Sequence, residues 1–191
     1  MSEEKKKENL ADPSLNDRLM KTRSIMLTGE ISKESADVII RNLLVMDSES
    51  GDPITVYINS PGGDVDAGFA IYDMVRFISS PVRMVGMGLV ASAAVIVLLS
   101  VPRERRFGLP NSTYLIHQPM ASMKGVAADI EIHARNMEYC RQRTDSLIAE
   151  ACGKSVEEVR RDTERDCWIY SQGAVEYGLI DRVITTRSAL D

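Results

Sequence analysis

The segment Gly88-Leu89-Val90-Ala91-Ser92-Ala93-Ala94 places a single hydroxyl among small residues, inside an apolar run from Met84 to Val101. We interpret the region as a buried strand at Arg83–Met87, a glycine-rich turn, and a buried helix that starts near Ala91. Ser92 would then lie on the first turn of this helix, where unpaired N–H groups favour a developing negative charge. The segment predicts a nucleophilic serine, with a simple helix-packing serine as the alternative.

The same apolar run must also be considered as a membrane span. It carries no charge and is about 18 residues long, which is the lower limit for crossing a bilayer. Gly86 and Gly88 interrupt it, and the chain contains no second span to pack against it. We therefore expect a buried core segment and no membrane partner.

Length and composition indicate an ordinary globular protein. The chain has 191 residues, of which 44% are hydrophobic and 27% charged. The length predicts one domain, at 15–191, and the charge-rich start of the chain predicts a mobile N-terminal tail at 1–14. The net charge of −5 argues against nucleic-acid binding. The three cysteines form no Cys-x-x-Cys pair, and no secretory signal is evident, so we expect reduced thiols and a cytoplasmic location.

Apolar periodicity predicts strands that alternate with helices, and hence an α/β fold with mostly parallel pairing. Strands are predicted at 25–27, 54–58 and 83–87, and helices after Ser32 and at 65–78. A long polar helix at about 127–152 has only a narrow apolar stripe. We expect it to project and contact another subunit, the alternative being a solvated helix at the edge of its own sheet.

Candidate catalytic groups follow two other predicted strands. Asn59-Ser60-Pro61-Gly62-Gly63 ends a strand, where open α/β sheets bind ligands, although it could equally be a tight turn. His117 ends the predicted strand at 113–116, a suitable place for a general base. Spacing alone does not choose an orienting carboxylate among four candidates, which are Asp145, Asp162, Asp166 and Asp181. No His/Cys cluster predicts a metal site.

Many short motifs occur in a characteristic order, and through them the chain resembles the family of Clp protease proteolytic subunits (ClpP) over about residues 15–186. The matching segments are Tyr57-Ile58-Asn59-Ser60-Pro61-Gly62-Gly63, Ala91-Ser92, Arg106-Phe107, Leu109-Pro110-Asn111-Ser112, Ile116-His117-Gln118-Pro119, Asp129-Ile130-Glu131-Ile132-His133-Ala134-Arg135, Arg161-Asp162-Thr163-Glu164-Arg165-Asp166 and Glu176-Tyr177-Gly178-Leu179-Ile180-Asp181.

The resemblance implies a role for particular residues. Ser92 is the expected nucleophile, His117 the general base and Asp166 the orienting acid. The resemblance also places Gly63 and Ala93 at the positions whose backbone N–H groups form the oxyanion hole. Arg165 falls at the contact between two rings.

The resemblance further implies a ClpP/crotonase-type fold of stacked strand–strand–helix turns with a projecting handle helix. Two seven-membered rings would stack around a chamber in which unfolded polypeptides are cut to short peptides. A separate AAA+ unfoldase would use ATP and Mg²⁺ and feed the chamber, so that the chain itself needs no cofactor.

Three departures from the family pattern qualify this expectation. Ala93-Ala94-Val95 stands where Met-Gly-Ala is usual, and the smaller Ala93 predicts a pocket that prefers bulkier residues before the cut. Ala121-Ser122 replaces a Gly-Gly pair, and the tail lacks a hydrophobic hairpin. An idle subunit of a mixed ring, active only beside a ClpP paralogue, is the main alternative. A crotonase-like enzyme acting on thioesters is less favoured, because it has no use for a serine nucleophile.

Overall fold

The computed structural model describes residues 13–190. The helices are α1 Pro13–Lys21, α2 Lys33–Glu49, α3 Val65–Phe77, α4 Ala93–Leu98, α5 Ala127–Cys152, α6 Val156–Asp162 and α7 Ser171–Tyr177. The strands are β1 Ser24–Thr28, β2 Ile54–Ser60, β3 Val82–Ala91, β4 Arg106–Gly108, β5 Thr113–Ile116, β6 Cys167–Tyr170 and β7 Arg182–Val183. The predicted tail lies almost wholly outside the described residues.

Within these residues the strands form one sheet, in which every pairing except one is parallel. The order along its main path is β1-β2-β3-β4-β7, and β5 pairs with both β3 and β6. The long strand β3 divides its partners, because Met84–Gly86 pairs with β4 and Leu89–Ala91 pairs with β5. The predicted α/β fold with a mostly parallel sheet is confirmed.

The helix starts follow from local capping chemistry. Ser32 and Ser35 form a reciprocal capping box at the start of α2. Asp64 accepts a hydrogen bond from the Ala67 N–H at the start of α3, and Ser155 caps α6 in the same way. α2, α3 and α4 then bury their apolar faces in the main core around β1, β2 and β3.

The predicted glycine-rich turn before Ser92 is wrong, because β3 continues through it to Ala91. The glycines lie within β3, where its pairing with β2 is irregular. Ile58 of β2 faces Gly86, but Ser60 faces Val90. The Asn59 side chain fills this gap and accepts a hydrogen bond from the Leu89 N–H at 3.1 Å. Ser92 therefore precedes α4 as its N-cap instead of lying on its first turn.

Smaller corrections concern the C-terminal third of the chain. β6 was not predicted, because its four residues Cys-Trp-Ile-Tyr show no clear alternation of apolar and polar residues. α6 ends at Asp162, and the last strand, β7, has only the two residues Arg182 and Val183. No helix within residues 13–190 is long and apolar enough to span a bilayer.

α5 has two unlike halves. Its buried residues, Thr144, Asp145, Ile148 and Ala149, all lie in the C-terminal half. Residues 127–136 are exposed throughout, including Ile130 and Ile132. A helix of 26 residues is about 39 Å long at 1.5 Å per residue, so its first half extends beyond the part that packs on the sheet.

Candidate active site

Ser92 lies at the junction of β3 and α4 in an unusual backbone conformation. Its φ of 55° and ψ of −122° are rare for a residue with a side chain. The Ser92 N–H donates to the Leu115 carbonyl at 2.9 Å, and its carbonyl accepts from the Val95 N–H. Both flanking residues, Ala91 and Ala93, are buried. The conformation is therefore imposed by packing on both sides, as in other strained strand-to-helix turns that present a nucleophile.

The loop after β2 packs directly against this turn. A Cβ atom added to Gly62 would lie 2.6 Å from the Ala91 carbonyl oxygen and 2.7 Å from the Ser92 Cβ. Gly62 also has a φ of 90°, which favours glycine. The loop can therefore approach the Ser92 turn this closely only because residue 62 has no side chain.

Two backbone N–H groups in this region, those of Gly63 and Ala93, have no hydrogen-bond acceptor within residues 13–190. In the bridge between Ile31 and Gly63, the Ile31 N–H donates to the Gly62 carbonyl and the Ile31 carbonyl accepts from the Asp64 N–H. This pattern leaves the Gly63 N–H without a partner among the described residues. Ala93 is the first residue of α4, where helical N–H groups have no intrahelical acceptor. These amides are the predicted oxyanion-hole donors.

His117 and Asp166 are brought together by the antiparallel pair β5–β6. Ile116, the last residue of β5, pairs with Cys167, the first residue of β6. His117, which follows β5, and Asp166, which precedes β6, therefore lie opposite each other. His117 Nδ1 is 3.2 Å from Asp166 Oδ1. The His117 side chain is 11% exposed and that of Asp166 is 59% exposed. A carboxylate at Nδ1 holds the imidazole with Nε2 available to a reacting hydroxyl.

The other three candidate carboxylates have different partners. Asp145 is buried and accepts a hydrogen bond from Thr163, and Asp162 accepts one from the Tyr177 hydroxyl. Asp181 pairs with Arg182 on the exposed surface. Asp166 is therefore the one of the four that contacts His117. The missed strand β6 is the element that selects it.

Ser92 and His117 line one small cleft of about 20 Å³, which is room for about one water molecule. The rest of the lining is mostly apolar and comes from α3, α4, α5 and the segment after β5, with Ala93, Val65, Ile96, Ile116, Pro119 and Ile148 among its members. No hydrogen bond joins the Ser92 hydroxyl to His117 among residues 13–190. The structure thus places Ser92 in the same cleft as the His117–Asp166 pair, without a hydrogen bond between Ser92 and His117.

A larger groove of about 450 Å³ adjoins the other side of His117. It is lined by Gln118, Pro119, Met120, Glu164, Arg165 and Asp166. Arg165 is exposed and directly precedes Asp166. Its predicted place at a contact between rings remains a prediction. No group of three metal-ligating side chains occurs in the described part of the chain.

Comparisons with known proteins establish the family. The family model described as Clp protease matches residues 6–187. The ATP-dependent Clp protease proteolytic subunit 2 of Treponema denticola is 54% identical over 187 residues, covering 97% of this chain and 94% of the relative. The proteolytic subunit 2 of Borreliella burgdorferi is 41% identical, covering 95% and 92%. A solved mutant of ClpP1 from Listeria monocytogenes has a TM-score of 0.87 and 42% identity, covering 93% of this chain and 99% of that chain.

The chain belongs to the Clp protease family. The resemblance deduced from the motifs is therefore confirmed, as is the ClpP-type fold, because the Listeria protein superposes over nearly its whole length. The roles of Ser92, His117, Asp166, Gly63, Ala93 and Arg165 remain predictions, which the geometry described above makes specific.

Proposed function

We propose that this chain is a serine endopeptidase subunit that cleaves unfolded polypeptides to short peptides. One observation carries the proposal: His117 lines the same cleft as Ser92 while its Nδ1 contacts Asp166. In this arrangement Ser92 Oγ attacks the peptide carbonyl and His117 Nε2 accepts the hydroxyl proton. His117 then returns the proton to the leaving amine, and Asp166 stabilises the imidazolium that forms in between.

The oxyanion of the tetrahedral intermediate would be bound by the Gly63 and Ala93 N–H groups. Neither N–H group has an acceptor in the described part of the chain, and the loop of Gly62 lies against the turn of Ser92. Removing one such donor from a serine peptidase typically slows catalysis by about 100- to 1000-fold. A backbone N–H group is kept whatever the side chain is. Ala93 can therefore supply this donor although a larger residue is usual at its position.

We also propose that the chain functions in two stacked rings in the cytoplasm, fed by an AAA+ unfoldase that consumes ATP and Mg²⁺. The exposed first half of α5 supports this, because Val126, Ile130 and Ile132 are large apolar residues left in solvent by a single copy. A projecting helix with such residues is suited to packing against the same helix of a facing ring. Family membership supports these partners.

The alternative is an idle or weakly active subunit of a mixed ring with a paralogue. The specific observation in its favour is that Ser92 makes no hydrogen bond to His117 in the described residues. Several relatives are also numbered subunits, such as proteolytic subunit 3 of Rhizobium etli, at 42% identity. Such numbering is expected where one organism has more than one proteolytic subunit.

Active-site labelling of the purified chain separates the two functions. A fluorophosphonate should label Ser92, and short fluorogenic peptides should be hydrolysed. Ser92→Ala should abolish both activities. Ser100→Ala is the matched control, because Ser100 lies at the other end of α4 and its buried hydroxyl donates to the Val97 carbonyl. Labelling that occurs only after a second homologous subunit is added would support the mixed ring, and labelling that persists in Ser92→Ala would refute the proposed nucleophile.

A further inference from the structure

A buried hydrogen bond connects α5 to the loop that carries Asp166. The Thr163 hydroxyl donates to Asp145 Oδ1 at 2.9 Å. Thr163 is 0% exposed and Asp145 is 1% exposed. Asp145 Oδ2 has no hydrogen-bond partner among the described residues, and the nearest cation, Arg141 Nε, is 3.8 Å away. Burial of a carboxylate costs free energy, and the Thr163 hydroxyl is the main contact that stabilises the one of Asp145.

Thr163 also contacts the chain next to the catalytic imidazole. Its carbonyl accepts a hydrogen bond from the Gln118 N–H at 2.7 Å, and the Gln118 side chain donates to the Glu164 carbonyl at 2.8 Å. Gln118 directly follows His117, and Thr163 precedes Asp166 by a short turn. Both members of the His117–Asp166 pair therefore extend from one small network centred on Thr163.

Arg141 joins α5 to the same loop from the exposed side. Its guanidinium donates to Glu164 Oε2 at 2.7 Å, and the Arg141 side chain is only 14% exposed. Burial raises the pKa of the Asp145 carboxyl, against the opposing effects of the Thr163 hydrogen bond and Arg141. α5 thus contacts the loop in two ways. The buried Asp145 accepts a hydrogen bond from the Thr163 hydroxyl, and Arg141 forms an ion pair with Glu164 nearer to solvent.

We propose that Thr163, anchored by the buried carboxylate of Asp145, is a positioning residue that sets the separation of His117 and Asp166. This inference rests on the proposed serine-peptidase function. Thr163 does not touch the reacting groups. It acts through the Gln118 backbone on one side and through the loop to Asp166 on the other. Because a misplacement of about 1 Å can slow an enzyme by about 100-fold, a single buried hydroxyl is sufficient for this role.

Thr163→Val tests the inference, since valine keeps the shape of threonine and removes only the hydroxyl. We expect fluorophosphonate labelling of Ser92 and kcat for a short peptide to fall by about 10- to 100-fold with little change in KM. Thr163→Ser restores the hydroxyl and should return both values to within about threefold of wild type.

A purely structural role for Thr163 predicts a different result. Thr163→Val would then lower the melting temperature while the labelling rate and kcat stayed as in wild type, and the proposal would be overturned. A crystal structure of Thr163→Val gives a readout that is independent of activity. We expect its His117–Asp166 contact to be lengthened or lost, and an unchanged contact of 3.2 Å would contradict the proposal. Absence of labelling in wild type would instead refute the proposed function.

Discussion

The two halves of the candidate site are built in different ways. The Ser92 half is formed by β3, α4 and the Gly62 loop inside the main core, where all of α4 is buried. The His117–Asp166 half is formed at the sheet's antiparallel edge by β5 and β6. There the Asp166 side chain is 59% exposed, and Trp168 and Tyr170 on the outer face of β6 are 52% and 71% exposed. Packing fixes the first half, and a few hydrogen bonds fix the second.

This difference shows where the site can adjust. A serine held by strained backbone between buried neighbours has no room to move independently. An imidazole and a carboxylate at a strand end can shift by the rearrangement of a short loop. The missing Ser92–His117 hydrogen bond lies at the boundary between the two halves. Substitutions that displace the Ser92 turn should therefore impair stability and activity together, whereas loss of the Asp166 charge should impair activity alone.

Asp166→Asn gives the largest expected effect. The amide cannot stabilise the imidazolium and favours the wrong tautomer, so kcat for a fluorogenic peptide should fall by about 1000- to 10,000-fold. The free energy of unfolding should change by less than about 1 kcal/mol, because contacts of an exposed carboxylate such as that of Asp166 contribute little to stability. The measurements are peptide hydrolysis and urea unfolding at matched protein concentration.

Asp181→Asn is the control for this substitution, since Asp181 pairs with Arg182 and lies away from His117. It should leave both hydrolysis and stability near the wild-type values. If Asp166→Asn retained more than about a tenth of the activity, Asp166 would not be the orienting acid.

Gly62→Ala tests the core half. The new methyl group would meet the Ala91 carbonyl oxygen and the Ser92 Cβ at 2.6 and 2.7 Å, so the Ser92 turn must shift. We expect a loss of about 2–4 kcal/mol in the free energy of unfolding, from left-handed strain and overpacking together. Labelling of Ser92 by a fluorophosphonate should slow by about 100-fold, because the nucleophile is displaced.

Gly29→Ala separates strain from steric overlap. Gly29 has a φ of 79°, close to that of Gly62, but nothing lies within 4 Å of the position of its added Cβ. Gly29→Ala should lower the free energy of unfolding only by the contribution of backbone strain, about 1–2 kcal/mol. Ser92 should still be labelled at the wild-type rate. Equal labelling rates in the two variants would mean that Gly62 does not hold the Ser92 turn in place.

Much of the core half could be predicted from the sequence. Apolar runs and capping residues such as Ser32 and Asp64 are local signals, and they indicated the strands and helices around Ser92. The position of Ser92 relative to its helix could not be predicted. It depends on the pairing irregularity in which β2 and β3 lose register and Asn59 fills the gap, and these are contacts between distant segments.

The edge half was hardly accessible to local signals. β6 is a strand of four residues whose existence depends on pairing with β5, and without it four carboxylates were equally possible partners of His117. Family resemblance named Asp166, but the physical reason is the register that pairs Ile116 with Cys167. The Asp145–Thr163 contact was equally hidden, because nothing in the sequence distinguishes a buried aspartate on a polar helix from its exposed neighbours.

Ala93→Met refines the comparison with a smaller effect within the core half. Ala93 lines the small apolar cleft beside Ser92, and its Cβ lies 3.3 Å from a Cβ added to Gly68. We expect a methionine here to extend toward the cleft, because α3 approaches Ala93 closely at Gly68. We expect the ratio of kcat/KM for peptides with leucine against alanine before the cut to fall by about tenfold, which is typical of a few methylene groups in an apolar pocket.

Hydrolysis of the alanine peptide serves as the internal control, because it should change much less if the Ser92 turn is intact. An unchanged ratio would show that Ala93 does not set the size of the pocket, and a parallel loss for both peptides would show that the larger side chain has displaced the nucleophile instead.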